Sequence, residues 1–191
     1  MNLPNRLTLL RIVLVPFFAV FLSFKFDLLD MRINYIIALV IFVIASITDF
    51  LDGYIAREYG LSTTFGKFAD PLADKILTSA ALICFCFSGI VNPIPIIIIL
   101  AREFMVSGLR LAVADKGIVV PAGIWGKLKT AFTMITIIFI LVALIMSDSG
   151  NTGLNHNLWI IYTIMIWISV ALTVVSGAVY LHAYKDYISD M

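Results

Sequence analysis

Charge is what this chain holds least of. Only 13% of its 191 residues are Asp, Glu, Lys or Arg, and 13 basic residues nearly balance 12 acidic ones. A net charge of +1 without a basic run offers nucleic acid nothing to bind. Cysteine is limited to Cys84 and Cys86, two positions apart in an apolar segment and therefore on different helix faces. That excludes a disulfide framework and leaves packed thiols. The two histidines, His156 and His182, are isolated, and neither resembles a metal site. No small-residue cleavage site follows the first apolar run, so M-N-L-P-N-R-L-T-L-L-R reads as a retained helix with Pro4 and Asn5 at its start. Internal repeats and low-complexity linkers are missing too, which leaves one domain over residues 1–191.

Apolar side chains fill the space. They make up 62% of the chain, and the mean hydropathy of +1.06 lies far outside the range of soluble globular proteins. The chain reads as an all-α integral membrane protein. About 20 apolar residues span hydrocarbon as a helix. Six such runs are present: Leu7–Phe24, Ile33–Ile55, Phe68–Val91, Ile94–Ala114, Trp125–Met146 and Leu158–His182. With six spans, Arg6, Arg57, Lys67, Lys116, Lys127, Lys129 and Lys185 fall on the side of the N-terminus, with Arg110 near it. Only Lys25 and Arg32 lie opposite. The bias of cations predicts cytoplasmic N- and C-termini.

The stretch from Asp49 to Asp74 breaks the apolar pattern with two pairs of carboxylates, Asp49/Asp52 and Asp70/Asp74. Residues three or four apart share a helix face, so each pair points one way. A turn between the two helices lets both pairs converge. Four converging acids repel and gain protons unless a counter-charge is present. Hard divalent cations with oxygen ligands supply one, and Mg²⁺ or Mn²⁺ is usual beside phosphates. Gly53, Ala56 and Gly66 continue the acidic faces and let a ligand lie against helix backbone. Arg57 offers a fork of donors to a phosphate. Acids capping helix ends are the bland alternative. Two spaced pairs with aligned glycines argue against it, because ionisable groups at membrane depth are costly.

These residues resemble the signature of the CDP-alcohol phosphatidyltransferase family, D-x-x-D-G-x-x-A-R followed by G-x-x-x-D-x-x-x-D. Every fixed position is present: Asp49, Asp52, Gly53, Ala56, Arg57, Gly66, Asp70 and Asp74. The resemblance covers essentially the whole chain. It implies that CDP-diacylglycerol lies with its tails in the bilayer and its nucleotide in a polar cavity open to the cytoplasmic side. Asp49, Asp52 and Asp70 would be metal ligands, with two ions implied. Asp74 would act as general base, as a ligand, or as both; a carboxylate so near cations is a weak base. Asp52, Gly53, Ala56, Arg57, Thr63 and Gly66 would hold the cytidine and diphosphate. The opening segment implies nucleotide contacts from Asn5 and Thr8, which otherwise read as an N-cap and a first-turn residue. A homodimer in a bacterial plasma membrane is implied as well.

Arg102 and Glu103 lie mid-span in the fourth run. Neighbours in sequence do not face each other on a helix, so a simple internal ion pair is not expected. Each is expected to find a structural partner on another span, with the lining of a cavity as the alternative. Gly126-Lys127-Leu128-Lys129-Thr130 sets two lysines at a helix N-terminus, against the dipole. A bound phosphate reconciles them, as does anchoring at lipid headgroups. With Arg110, Lys127 and Lys129 would form an acceptor-phosphate pocket. A-R-E-F-M-V-S-G-L-R together with G-K-L-K-T is most similar to bacterial members that make phosphatidylglycerophosphate, which implies glycerol 3-phosphate as acceptor and CMP as the product released. Serine and inositol phosphate are the alternative acceptors. Intramembrane prenyltransferases carry Asp motifs widely separated in longer chains. A carboxylate-lined cation transporter would spread its acids through the membrane depth, whereas here they cluster.

Overall fold

A backbone surrounded by hydrocarbon must satisfy its N–H and C=O groups within its own segment, so long apolar runs fold as helices. The computed structural model describes residues 3–24, 30–58, 64–114, 123–147 and 152–183, with side chains described in 8–24, 30–48, 75–110, 123–147 and 152–183. It contains α1 (Leu3–Ser23), α2 (Met31–Glu58), α3 (Thr64–Phe87), α4 (Pro93–Ala114), α5 (Ile124–Met146) and α6 (Thr152–Ala183). Among the described residues there is no strand. Among the described residues, three helices hold stretches long and apolar enough to cross a membrane: Met31–Thr48 of α2, and all of α5 and α6.

Local chemistry sets the helix ends. Asp30 caps α2, its Oδ1 accepting the Arg32 N–H at 3.3 Å. Asn92 does the same for α4, accepting the Ile94 N–H at 3.0 Å, and Pro93 occupies the first helical position. The third apolar run continues to Val91, yet α3 stops at Phe87. Gly89 adopts φ +70°, and the N–H groups of Gly89 and Ile90 return to the Cys86 and Phe85 carbonyls at 3.0 and 2.9 Å. That is a left-handed glycine C-cap, open to a residue without Cβ. In the other direction, α6 begins at Thr152, six residues ahead of the apolar run from Leu158. Its first turns are polar and carry no hydropathy signal; His156 stacks on Trp159 with ring centroids 6.0 Å apart.

The helices close a ring in the spatial order α1, α2, α5, α6, α4, α3, with α1 packed against both α2 and α3. Phe18 of α1 and Phe42 of α2 meet at 5.9 Å, beside the fully buried Ala38 and Ala45. Small residues at such positions let helices approach closely. Leu82 and Phe85 of α3 and Ile137, Ile140 and Leu141 of α5 continue this core. The outside is apolar as well: Phe87, Ile97, Phe104 and Ile124 are all exposed. Between α5 and α6, Thr133, Thr136 and Thr173 donate to carbonyls one turn back, and the hydroxyls of Thr136 and Ser169 lie 3.4 Å apart. Hydroxyls that bond their own helix can be buried without a partner span. Cys84 and Cys86 are free thiols, as expected.

Candidate active site

Both halves of the acidic motif flank one connection. Asp49, Asp52, Gly53, Ala56 and Arg57 lie in the last turns of α2, which ends at Glu58. Gly66, Asp70 and Asp74 lie in the first turns of α3, which starts at Thr64. The side chains of these residues, and that of Asn5 on α1, lie outside the described residues, as does Thr63 altogether. Thr8 is fully buried on α1, with the buried Arg11 three residues further along the same helix.

Beyond Asp74 the side chains are described, and the next residue opens a polar network through four helices. The Lys75 ammonium of α3 donates to Ser107 Oγ of α4. The Ser107 hydroxyl donates to the Glu103 carbonyl one turn back. Glu103 Oε1 accepts from Lys129 Nζ of α5 and from Arg102 Nη1 at 2.9 Å. Arg102 Nη2 donates to Ser176 Oγ of α6. One turn on, Tyr180 lies against two guanidiniums, with Arg102 at 5.8 Å and Arg110 at 5.1 Å from its ring centroid. Arg110 Nη2 donates to the Tyr180 hydroxyl.

Helical spacing explains the assembly. Glu103, Ser107 and Arg110 stand at intervals of four and three on α4, hence on one face. Ser176 and Tyr180 are four apart on α6. Lys129 and Thr133 share the buried face of α5. Lys127, two residues from Lys129, is turned to the exposed side. The two lysines of the G-K-L-K-T segment are thus separated by helix geometry. Lys129 is paired with Glu103 and Lys127 is at the surface.

The expectation for Arg102 and Glu103 needs one correction. Partners on other helices are found, in Ser176 and Lys129, but the adjacent pair also bonds to itself. Their Cβ directions diverge, yet the long arginine stem swings back far enough to bring Nη1 to the carboxylate. Direction of departure from the helix does not limit a flexible side chain with four torsions.

Among the described residues this network joins four cations, Lys75, Arg102, Arg110 and Lys129, and one carboxylate, Glu103. Arg110 Nε is buried and meets no hydrogen-bond acceptor among the described residues. Cationic groups gathered with an unused buried donor are chemistry that an oxyanion can meet. A narrow cavity lined by Lys75, Thr78, Glu103, Lys129 and Thr130 lies inside the cluster, with room for about one water. A larger cavity, about 360 Å³, lies at the α3–α4 turn, between Asn92 and Trp159, and among the described residues no charged side chain lines it. It is at the other end of α3 from Asp70 and Asp74.

Sequence reasoning passed over Lys75, Ser107, Ser176 and Tyr180. A signal existed for the last two: polar groups one turn apart in an otherwise apolar span are costly and face inward. The adjacency of Lys75 to Asp74 was a second one.

The acid-rich motif thus lies at a helix connection, with Lys75 of the cation-rich cluster next to it in sequence, and the family comparison is specific. The model of the CDP-alcohol phosphatidyltransferases matches residues 1–175, and the chain belongs to this family. Among similar proteins, the CDP-diacylglycerol–glycerol-3-phosphate 3-phosphatidyltransferase of Rickettsia bellii is 40% identical, covering 97% of each chain. That of Bacillus subtilis is 39% identical over 92% of this chain and 91% of its own. The protein of the same name from Mycoplasma pneumoniae is 31% identical over 94% and 86%.

Proposed function

We propose that the chain transfers the phosphatidyl group of CDP-diacylglycerol to glycerol 3-phosphate, releasing CMP. The observation that carries this reading is the row of cationic side chains running from Lys75, the residue after Asp74, to Arg110, whose buried Nε meets no acceptor among the described residues. A phosphate-bearing acceptor brings up to two negative charges to such a pocket, whereas serine brings one carboxylate offset by its own ammonium. The names of the relatives, which match nearly end to end, support the same acceptor.

In this reading the primary hydroxyl of glycerol 3-phosphate attacks the β-phosphorus of CDP-diacylglycerol. The new oxygen–phosphorus bond forms as the bond to the bridging oxygen of CMP breaks. Asp74 takes the hydroxyl proton. Arg110, Lys129 and Lys127 attract the acceptor phosphate, Arg110 through donors that Tyr180 does not use. Holding the acceptor next to the acidic motif converts a two-body encounter into a positioned one. Asn5, Thr8, Arg57, Thr63 and the small residues Gly53, Ala56 and Gly66 hold the nucleotide and diphosphate.

Asp49, Asp52, Asp70 and Asp74 form an all-oxygen donor set that suits two hard divalent cations, Mg²⁺ or Mn²⁺. When bound, such ions would neutralise the diphosphate and the departing CMP. The same reading places the chain as a single domain with six spans, in a homodimer in the plasma membrane. Both termini and the polar cavity face the cytoplasm, where soluble phosphorylated acceptors are found.

The test is direct. Purified protein in mixed micelles with CDP-diacylglycerol and Mg²⁺ releases CMP on addition of glycerol 3-phosphate, and a chelator stops it. Release with serine or inositol phosphate instead would overturn the acceptor assignment. Cation flux in liposomes without CMP from any acceptor would replace the enzyme reading by transport.

A further inference from the structure

Two arginines of α4 share one tyrosine of α6, and α6 shows a local design around them. Ser176, Gly177 and Tyr180 form a short rail on its buried face. Ser176 Oγ accepts from Arg102. A Cβ built on Gly177 would come within 3.2 Å of Arg102 Cγ and 3.8 Å of its Nε, so the arginine stem runs across the bare backbone. The Tyr180 hydroxyl accepts from Arg110, and its ring faces both guanidiniums. Tyr180 is 5% exposed in a helix that otherwise reads as a lipid-facing span.

We infer that Tyr180, seated by Ser176 and Gly177, is a positioning residue that fixes the Arg110 guanidinium and thereby sets the preference for a phosphorylated acceptor. This rests on the proposal above that Arg110 meets the acceptor phosphate. An unrestrained arginine samples many rotamers, and ordering it on substrate arrival would weaken binding. Tyr180 removes that cost beforehand. It occupies one Nη and leaves Nε without an acceptor among the described residues, so a donor remains for an incoming oxyanion. The ring quadrupole attracts both cations, which lets two like charges lie near one another. Arg102 pairs with Glu103, a carboxylate it shares with Lys129, whereas Arg110 has no carboxylate within ion-pair distance among the described residues. Of the two, Arg110 is the one held for a ligand.

The experiment compares Tyr180→Phe, Arg110→Ala and the double variant, with KM measured for glycerol 3-phosphate and for CDP-diacylglycerol. Tyr180→Phe keeps the ring and removes the acceptor of a charged hydrogen bond. The expected result is a rise of about tenfold in the glycerol 3-phosphate KM. The CDP-diacylglycerol KM and the melting temperature stay near wild type, which a merely structural role would not produce. In the Arg110→Ala background, Tyr180→Phe adds nothing further, since the two act as a unit. Gly177→Ala, which displaces the Arg102 stem, is the second variant and raises the same KM by a smaller factor. If Arg110→Ala raises the acceptor KM and Tyr180→Phe does not, the positioning role is wrong and the phosphate pocket stands. If Arg110→Ala leaves that KM unchanged, the pocket itself is misplaced and the inference falls with it. Full additivity of the two substitutions would also overturn it.

Discussion

Two helix seams of this protein are built on opposite principles. Where α1 meets α2, Phe18 packs against Phe42, with Ala38 and Ala45 alongside, and the contact is apolar and complementary in shape. Where α4 meets α6, the contact is Arg102 on Ser176 and Gly177 and Arg110 on Tyr180. In a soluble protein the first seam would be driven by removal of apolar area from water. In lipid that drive vanishes, because acyl chains are as apolar as phenylalanine, and close packing must do the work. The polar seam costs desolvation without any obvious gain in packing. A polar cost retained among apolar helices points to function rather than packing. On the function proposed above, the comparison teaches that the first seam holds the fold and the second serves the chemistry.

Substitutions sort by which seam they touch. The largest effect is expected just outside both, at the acidic motif: Asp70→Asn reduces CMP release to background at any substrate concentration, because a missing carboxylate cannot be replaced by substrate. Retained turnover would remove Asp70 from the metal set. Next comes Glu103→Gln in the polar seam. It leaves the buried Lys129 and the partly buried Arg102 without this carboxylate, at a cost of about 3 kcal/mol. The melting temperature falls, and a second change, Lys129→Met, restores part of it. Failure of that rescue would show that Glu103 is not the anion that Lys129 needs.

Phe42→Ala probes the other seam. Loss of a fully buried ring costs about 3 kcal/mol as well, through the cavity it leaves. The expected signature differs: the melting temperature falls while both KM values stay unchanged. A Phe42→Ala variant with an altered acceptor KM would break the division between packing seam and chemical seam.

The division also explains what could be read in advance. Helix number and approximate extent follow from runs of apolar residues, since hydropathy reports what a span faces over its whole length. The ends of α3 and α6 escaped that reasoning for local causes. A left-handed Gly89 halts one helix inside an apolar run, and polar turns extend the other beyond one. The acidic motif was legible because spacing on a helix fixes which side chains share a face. The cluster around Glu103 was only half legible. Arg102 and Glu103 announced themselves as charges in a span, but their partners Ser176 and Lys129 lie 74 and 26 residues away from the donor or acceptor they meet. No local period encodes the ring order that brings α6 beside α4. Tyr180 was passed over for the same reason, since the neighbour that gives it meaning is distant in sequence.

The smallest effect is expected at Lys127, and it sharpens the comparison most finely. A phosphate pocket built from Arg110, Lys127 and Lys129 treats the two lysines alike, but residues two apart leave a helix on nearly opposite sides. Lys129 is 4% exposed and bonded to Glu103, while Lys127 is at the surface. A surface ammonium attracts an anion only through solvent, within a Debye length of about 8 Å at physiological salt. Lys127→Ala should therefore raise the glycerol 3-phosphate KM by no more than about twofold at low salt, and the change should disappear as salt is added. A large effect that persists in salt would mean that Lys127 touches the phosphate directly. The acceptor would then sit at the start of α5, outside the polar seam, and Arg110 would lose its place as the main contact.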